Sequence, residues 1–181
     1  MMAETMFETD RLILRAFRET DRDPWAAMNA DPEVMRHFPA TLSRAEADGV
    51  MDRVNEKIAD TGVGFWALER KADGCFLGFA GLNRIGHENL PIYGEWEVGW
   101  RLARHAWGQG YASEAGAFAL DHGFQAMGLR RILAYTACTN SLSERVMQRL
   151  GMERRADMDF EHPAVPVGSP VRPHIVYVKA A

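Results

Sequence analysis

The sequence predicts a single-domain α/β (α+β) protein in which a sheet is flanked by helices, and three observations carry that prediction. Short stretches with apolar residues at every second position alternate with stretches whose apolar residues recur at helical spacing. A tight Ala72-Asp73-Gly74 turn joins two of the strand-like stretches as a hairpin. The 181 residues suit one domain of ordinary size, and no repeat, low-complexity segment or linker divides them.

Residues 9–17 (TDRLILRAF) alternate and read as the opening strand, which leaves residues 1–8 as a tail and 9–181 as the domain. Asp23-Pro24 and Asp31-Pro32 each place a capping residue before a proline at the first helical position, so two short helices are expected there. Ser43-Arg44-Ala45-Glu46 is a capping box; Val50, Met51, Val54 and Ile58 give its helix an apolar stripe, and Gly62 ends it. The period then changes to two, with strands at 65–68 and 76–82 and a third at 93–103. A helix over 112–127 follows, with Ala117, Leu120, Phe124 and Met127 as its stripe and Gly128 as its stop. Residues 131–139 (RILAYTACT) suit a central strand, and Leu142, Val146 and Leu150 mark one face of a helix that stops at Gly151. Pro163, Pro166, Pro170 and Pro173 make the tail irregular until a last strand at 174–179.

Composition narrows the function. With 47% hydrophobic residues, 25% charged residues and a net charge of −4, the chain has no cationic surplus to make nucleic acid its main partner. Residues 1–8 contain neither a cationic segment nor an apolar run, and no later stretch approaches the ~18 apolar residues of a membrane span, so a cytoplasmic protein is expected. Cys75 and Cys138 each lie in an apolar run without a second Cys or a His at ligand spacing. Both are expected to be buried free thiols, with neither a disulfide nor a metal site.

The stretch from Glu97 to Ala115 carries the chemistry: a strand runs into a turn containing Gly108 and Gly110, then into a helix that begins with small residues. Glycines let backbone approach a ligand closely, and a helix start presents unpaired N–H groups, so the unit suits a phosphate. A dinucleotide fingerprint fits poorly, because Ser113 stands where the third glycine or alanine belongs. The P-loop spacing is absent. A turn whose glycines serve geometry alone is the remaining structural reading.

The run Trp107-Gly108-Gln109-Gly110-Tyr111-Ala112-Ser113-Glu114-Ala115 resembles the acetyl-CoA-binding motif of the GNAT N-acetyltransferases, in their RimJ/RimL-like branch of ribosomal-protein N-terminal acetyltransferases. TDRLILR, Asp31-Pro32-Glu33-Val34-Met35, Asn140-x-x-Ser143 and Leu150-Gly151-Met152 resemble that branch in the same order, over residues 9–178. The resemblance implies a mixed, largely antiparallel central sheet and acetyl-CoA as donor, with CoA as product. It implies that backbone groups of Trp100, Arg101 and Leu102 hold the pantetheine arm. Trp107, Gly108, Gln109, Gly110, Tyr111 and Ala112 would wrap the pyrophosphate, helped by Arg101 and Arg104, while Asn140 and Ser143 would face the pantetheine and the sulfur. Trp107 departs from the family's usual Gln or Arg.

An amine attacks a thioester only when neutral, so a base must remove its proton. Glu97 is the expected base and Glu95, two residues earlier, its reserve. A backbone N–H near residues 98–100 would face the oxyanion. Where many relatives carry a tyrosine to protonate the leaving thiolate this chain has Met147, so Ser143 is the expected donor. Trp66, Trp96, Trp100, Phe38 and Phe160 either line an acceptor cleft or belong to the core, and His162 is either an acceptor contact or a plain loop residue. The acceptor implied by the branch is a protein or peptide N-terminus. The alternatives are a small amine (polyamine, amino acid or antibiotic), for which Asp157, Asp159 and Glu161 are candidate contacts, and a non-catalytic CoA-binding protein. The resemblance leaves room for a homodimer paired through the tail strand.

Overall fold

The computed structural model describes residues 6–181. Among the described residues nine strands form one sheet: β1 (Met6–Glu8), β2 (Leu12–Arg15), β3 (Phe65–Arg70), β4 (Phe76–Arg84), β5 (Trp96–Leu102), β6 (Arg131–Ala137), β7 (Glu153–Arg154), β8 (Phe160–Glu161) and β9 (Pro173–Ala180). Their order across the sheet is β1-β2-β3-β4-β5-β6-β9-β7, with β8 also on β9. Every pairing is antiparallel except β5 with β6, so the expected mixed, largely antiparallel sheet is what the chain forms. Met6–Glu8, expected in a tail, pairs with β2 as an edge strand. Residues 1–5 lie outside the described residues.

The helices are α1 (Arg22–Ala30), α2 (Pro32–Met35), α3 (Arg44–Thr61), α4 (Tyr111–Asp121) and α5 (Ser141–Arg149). The local signals for α2 and α3 hold. Asp31 accepts the Glu33 N–H, Ser43 and Glu46 cap each other's backbone, and Gly62 closes α3 in the left-handed conformation with φ 72°. The start of α1 differs: Asp21, not Asp23, is its cap residue, because a 3-10 turn over Glu19–Asp21 runs directly into the helix. The expected stripe on α4 also differs. Ala117 is exposed while Tyr111, Ala115, Gly116, Ala119 and Leu120 are buried, and His122–Ala126 continue as a wider π turn that shifts the register.

Both faces of the sheet are covered. One carries Leu12, Leu14, Trp66, Leu68, Leu82 and Val98 against Tyr111, Ala115 and Ala119 of α4 and Met147 of α5. The other carries Ala67, Phe76 and Phe79 against Trp25 and Met28 of α1 and Met51 of α3. A buried ion pair pins that second layer: Arg15 on β2 grips Asp21 in a fork at 2.6 and 3.0 Å, with side-chain exposures of 2% and 4%. Arg15 Nε also donates to Glu69 on β3 at 2.7 Å, and the Arg18 N–H donates to Asp21 at 2.7 Å.

The feature that positions the site is a split. β5 and β6 pair only at Glu97 and Leu133, near the start of each strand, and part beyond that point. Each is held fully on its other side, β5 by β4 from Trp96 to Leu102 and β6 by β9 from Arg131 to Ala137. Neither strand is free to close the gap.

Removing one member of a buried, hydrogen-bonded ion pair leaves the other uncompensated, at a cost of about 3–5 kcal/mol. Asp21→Ala is therefore expected to lower the urea-unfolding free energy by an amount in that range. A loss under about 1 kcal/mol would show that the pair does not pin the helical layer.

Candidate active site

A cavity of about 540 Å³ occupies the split. One wall is the inner edge of β5 from Glu97 to Leu102. Another is Tyr135, Thr136 and Ala137 of β6, and the ends are the 108–113 turn, the start of α5 and residues 33–39. A strand presents hydrogen-bonding groups on both edges, so past Glu97 the edge of β5 that lacks a neighbour faces this space.

At one end the turn is shaped for an anion. Gly108 and Gly110 have φ of 73° and 83°, a region open to glycine and strained for other residues. Between Gly108 and Ser113 no backbone N–H finds an acceptor among the described residues, and the Ser113 hydroxyl is buried without a partner. Arg11 fixes the turn from outside: its Nη1 donates to the Gln109 carbonyl at 2.9 Å, its Nε to Glu114 at 2.7 Å, and its guanidinium lies over the Tyr111 ring. Trp107 braces it from within, donating from Nε1 to the Leu102 carbonyl at 2.8 Å. Gln109 offers the turn its backbone N–H alone: its side chain donates back to the His105 carbonyl at 2.7 Å and does not line the cavity. Arg104 is likewise turned away, paired with Asp31 at 2.7 Å.

At the start of α5, Asn140 is consumed by local bonds. Its oxygen accepts the Ser143 N–H at 3.2 Å and its amide donates to Thr136 at 3.0 Å. Ser143 Oγ accepts the Trp100 indole N–H at 3.2 Å, which fixes the oxygen and leaves the hydroxyl proton free. The apolar stripe predicted on this helix is divided: Leu150 is buried, while Leu142 is 44% exposed and, with Val146, lines the cavity.

Glu97 stands where the strands begin to part. It is partly open to the cavity yet largely enclosed by protein, and that enclosure pushes its carboxyl up to about 7. The Asn83 amide, donating at 2.9 Å, and the charge of Lys57 oppose the rise. Lys57 Nζ is hydrogen-bonded to Asn83, not to Glu97. Glu95, the expected reserve, lies before the strand, ion-paired with Arg131, and does not reach the cavity.

On the same face of β5 as Glu97, Arg101 packs its guanidinium 4.1 Å from the centroid of Phe38 and 5.4 Å from that of Phe79. This side chain points away from the anion-shaped turn, contrary to the expectation that its charge helps there. Trp100, Phe38 and His162 line the cavity as one of the two readings held; Trp66 is fully buried in the core, and Phe160 stacks on His174 outside the lining. Asp157, Asp159 and Glu161 are taken by Arg155, Arg154 and Arg172 and do not face the cavity. The cysteines also differ from expectation: Cys75 is half-buried and Cys138 is exposed, both as free thiols.

Several wall residues were missed. Arg36, Arg145, Arg149, Tyr135 and His174 line the space, and Arg145 and Arg149 have no charged partner among the described residues. The wall thus carries four arginines against Glu33 and Glu97 in a protein of net charge −4. Helical spacing in the sequence puts Arg145 and Arg149 on one face of α5, which was the available signal. No group that could hold a metal ion occurs among the described residues, and none of their helices is long and apolar enough to cross a membrane.

Free N–H groups, an orphaned hydroxyl and a cationic wall beside a narrow apolar slot fit a long thioester with a phosphate-rich end, such as acetyl-CoA. Comparison with known proteins agrees. Residues 11–153 match the acetyltransferase (GNAT) domain family. The chain is 31% identical to the uncharacterized protein YkkB of Bacillus subtilis, over 84% of this chain and 87% of that one. It is 30% identical to the uncharacterized N-acetyltransferase YnaD of the same organism, over 89% and 88%. An acetyltransferase structure from Bacillus anthracis superposes with a TM-score of 0.78 at 23% identity, covering 97% of this chain and 98% of that one. The chain belongs to the GNAT acetyltransferase family and is an N-acetyltransferase that takes its acetyl group from acetyl-CoA.

Proposed function

We propose that the acetyl group passes directly to a primary amine whose proton is drawn off by Glu97. The observation that carries this reading is the Glu97 carboxyl, which stands on the cavity wall where the strands part and is raised to about 7 by enclosure. An alkylamine is mostly protonated at neutral pH, and a base that titrates near the working pH serves best to deprotonate it. Glu95 has no part in this reading.

Acetyl-CoA, when bound, supplies the acetyl group as a thioester. The free N–H groups from Gly108 to Ser113 hold its pyrophosphate at the start of α4. The open edge of Trp100, Arg101 and Leu102 binds the pantetheine amides, and Arg145 and Arg149 add charge near the phosphates. Backbone N–H groups near Val98 to Trp100 steady the carbonyl oxygen. Ser143 donates a hydrogen bond from its free hydroxyl to the departing sulfur, which leaves as the thiolate and takes its proton from solvent, with the indole of Trp100 and the cap by Asn140 fixing the serine's position. Asn140 is in this reading a positioning residue.

The motif order supports the RimJ/RimL-like branch and, with it, a peptide N-terminus as one acceptor. A polycationic acceptor is disfavoured by the cationic wall and by the pairing of Asp157, Asp159 and Glu161.

Calorimetric titration with acetyl-CoA is expected to show saturable binding between micromolar and millimolar. Thiol release should then follow with some member of a panel of amines and Ala-, Ser- and Met-starting peptides; no binding at all sinks the proposal. Because the base works unprotonated, kcat/KM should fall as pH drops through about 7, with an inflection below that of the amine itself. Glu97→Gln should lose that inflection and about 10²–10⁴ of the rate. Ser143→Ala should reduce kcat by roughly tenfold while leaving the KM for acetyl-CoA near its original value; an unchanged kcat removes Ser143 from the reaction.

A further inference from the structure

This inference rests on the acetyltransferase reading and concerns the kind of amine the site accepts. Arg101 lies four residues beyond Glu97 on β5, so the two side chains share one face of the strand with Gly99 between them. That face looks toward α1 and residues 33–39, opposite the face that carries α4. The guanidinium is walled by Phe38 and Phe79, and its one hydrogen bond among the described residues goes to the neutral Asn29 amide oxygen at 2.5 Å. Its Nε is buried with no partner, and no carboxylate is in reach among the described residues.

Among the described arginines that are not exposed, Arg101 is the exception: Arg15, Arg22, Arg70 and Arg172 each meet a carboxylate. Enclosure without a counter-charge draws the Arg101 pKa down to about 10, still far above neutrality, so the group stays cationic. A buried cation is costly unless an anion completes it, and the guanidinium fork matches a carboxylate in two parallel bonds. The phosphates of the donor do not supply that anion, because the turn shaped for them lies on the α4 side of the sheet. The anion must arrive with the acceptor.

Spacing suits this role. At ~3.3 Å per residue the Cα atoms of Glu97 and Arg101 are about 13 Å apart, so an acceptor that reaches both must carry its amine and its carboxylate on different parts of one molecule. Gly99 leaves the floor between them bare; a Cβ there would meet the Phe65 ring at 3.0 Å. We propose that Arg101 determines acceptor specificity by binding a carboxylate carried by the amine substrate, so that this enzyme acetylates amino acids or peptides with a carboxylate a few bonds from the reacting nitrogen.

The test uses matched pairs that differ only in charge: alanine and alaninamide, Ala-Gly and its C-terminal amide, and Ala-Asp-amide and Ala-Asn-amide. The first two pairs probe a terminal carboxylate and the third an acidic side chain. At least one carboxylate member should show kcat/KM tenfold or more above its partner, and Arg101→Lys and Arg101→Met should bring that ratio toward one. Calorimetry of the CoA-saturated protein with the N-acetylated form of each pair gives a second readout, in which the carboxylate form should bind at least tenfold tighter to wild type. Turnover with equal rates and equal affinities in every pair overturns the assignment and leaves the acetyltransferase reading standing. Absent turnover with a persistent carboxylate preference in binding does the reverse, and loss of both overturns both. If neither variant folds, the wild-type pairs still decide.

Discussion

The site depends on one constraint, that two adjacent parallel strands cannot stay together. β4 holds β5 and β9 holds β6, each along the whole strand, and their shared pairing stops at Glu97 and Leu133. Past that point the sheet has an interior edge, which ordinary sheets avoid because unpaired N–H and C=O groups there have no water to satisfy them. A ligand with amide groups of its own can complete such an edge. The helices that follow the two strands, α4 and α5, both begin at the open end, so their unpaired N–H groups and first-turn side chains gather around the same space.

The charge distribution follows from the same geometry. A protein of net charge −4 must hold a polyanionic donor, and its overall field does not help. Local pairing solves this. Acidic residues that could have faced the cavity, Asp31, Glu95, Asp157, Asp159 and Glu161, are each matched to an arginine outside it, while Arg145 and Arg149 are left open to the space. The turn between β1 and β2 contributes at a distance, since its Arg11 and Thr9 both hold Glu114 in the first turn of α4.

What could be read in the sequence was what short stretches decide alone. The Ser43 capping box, the Asp31-Pro32 start, the 72–74 hairpin and the Gly108–Gly110 turn need only neighbouring residues, and all of them form. Site residues whose direction depends on distant partners were harder. Gln109 belongs to the right turn, yet Arg11, almost a hundred residues away, occupies its carbonyl and its amide folds back on His105. Glu95 shares strand parity with Glu97, but β5 begins at Trp96 and Arg131 captures the carboxylate first. An apolar stripe has the same pattern whether it meets a core or a ligand, so nothing in the spacing of Leu142 and Val146 could separate those roles.

Glu97 shows why the neighbours of a reactive group matter as much as the group. Had Lys57 reached the carboxylate directly, their attraction would hold the pair ionised and leave a weak base. With neither Asn83 nor Lys57 beside it, enclosure would push the carboxyl higher still and favour its protonated form. Asn83 stands between the two, donating to Glu97 through its amide and accepting from Lys57 through its oxygen. The lysine's charge thus acts across one intervening side chain, strong enough to limit the rise and too remote to cancel it. Helix α3 carries Lys57 and strand β4 carries Asn83, so two elements flanking β5 temper the rise that enclosure causes, Asn83 more than Lys57, and the strength of the base depends on packing away from the bond being made.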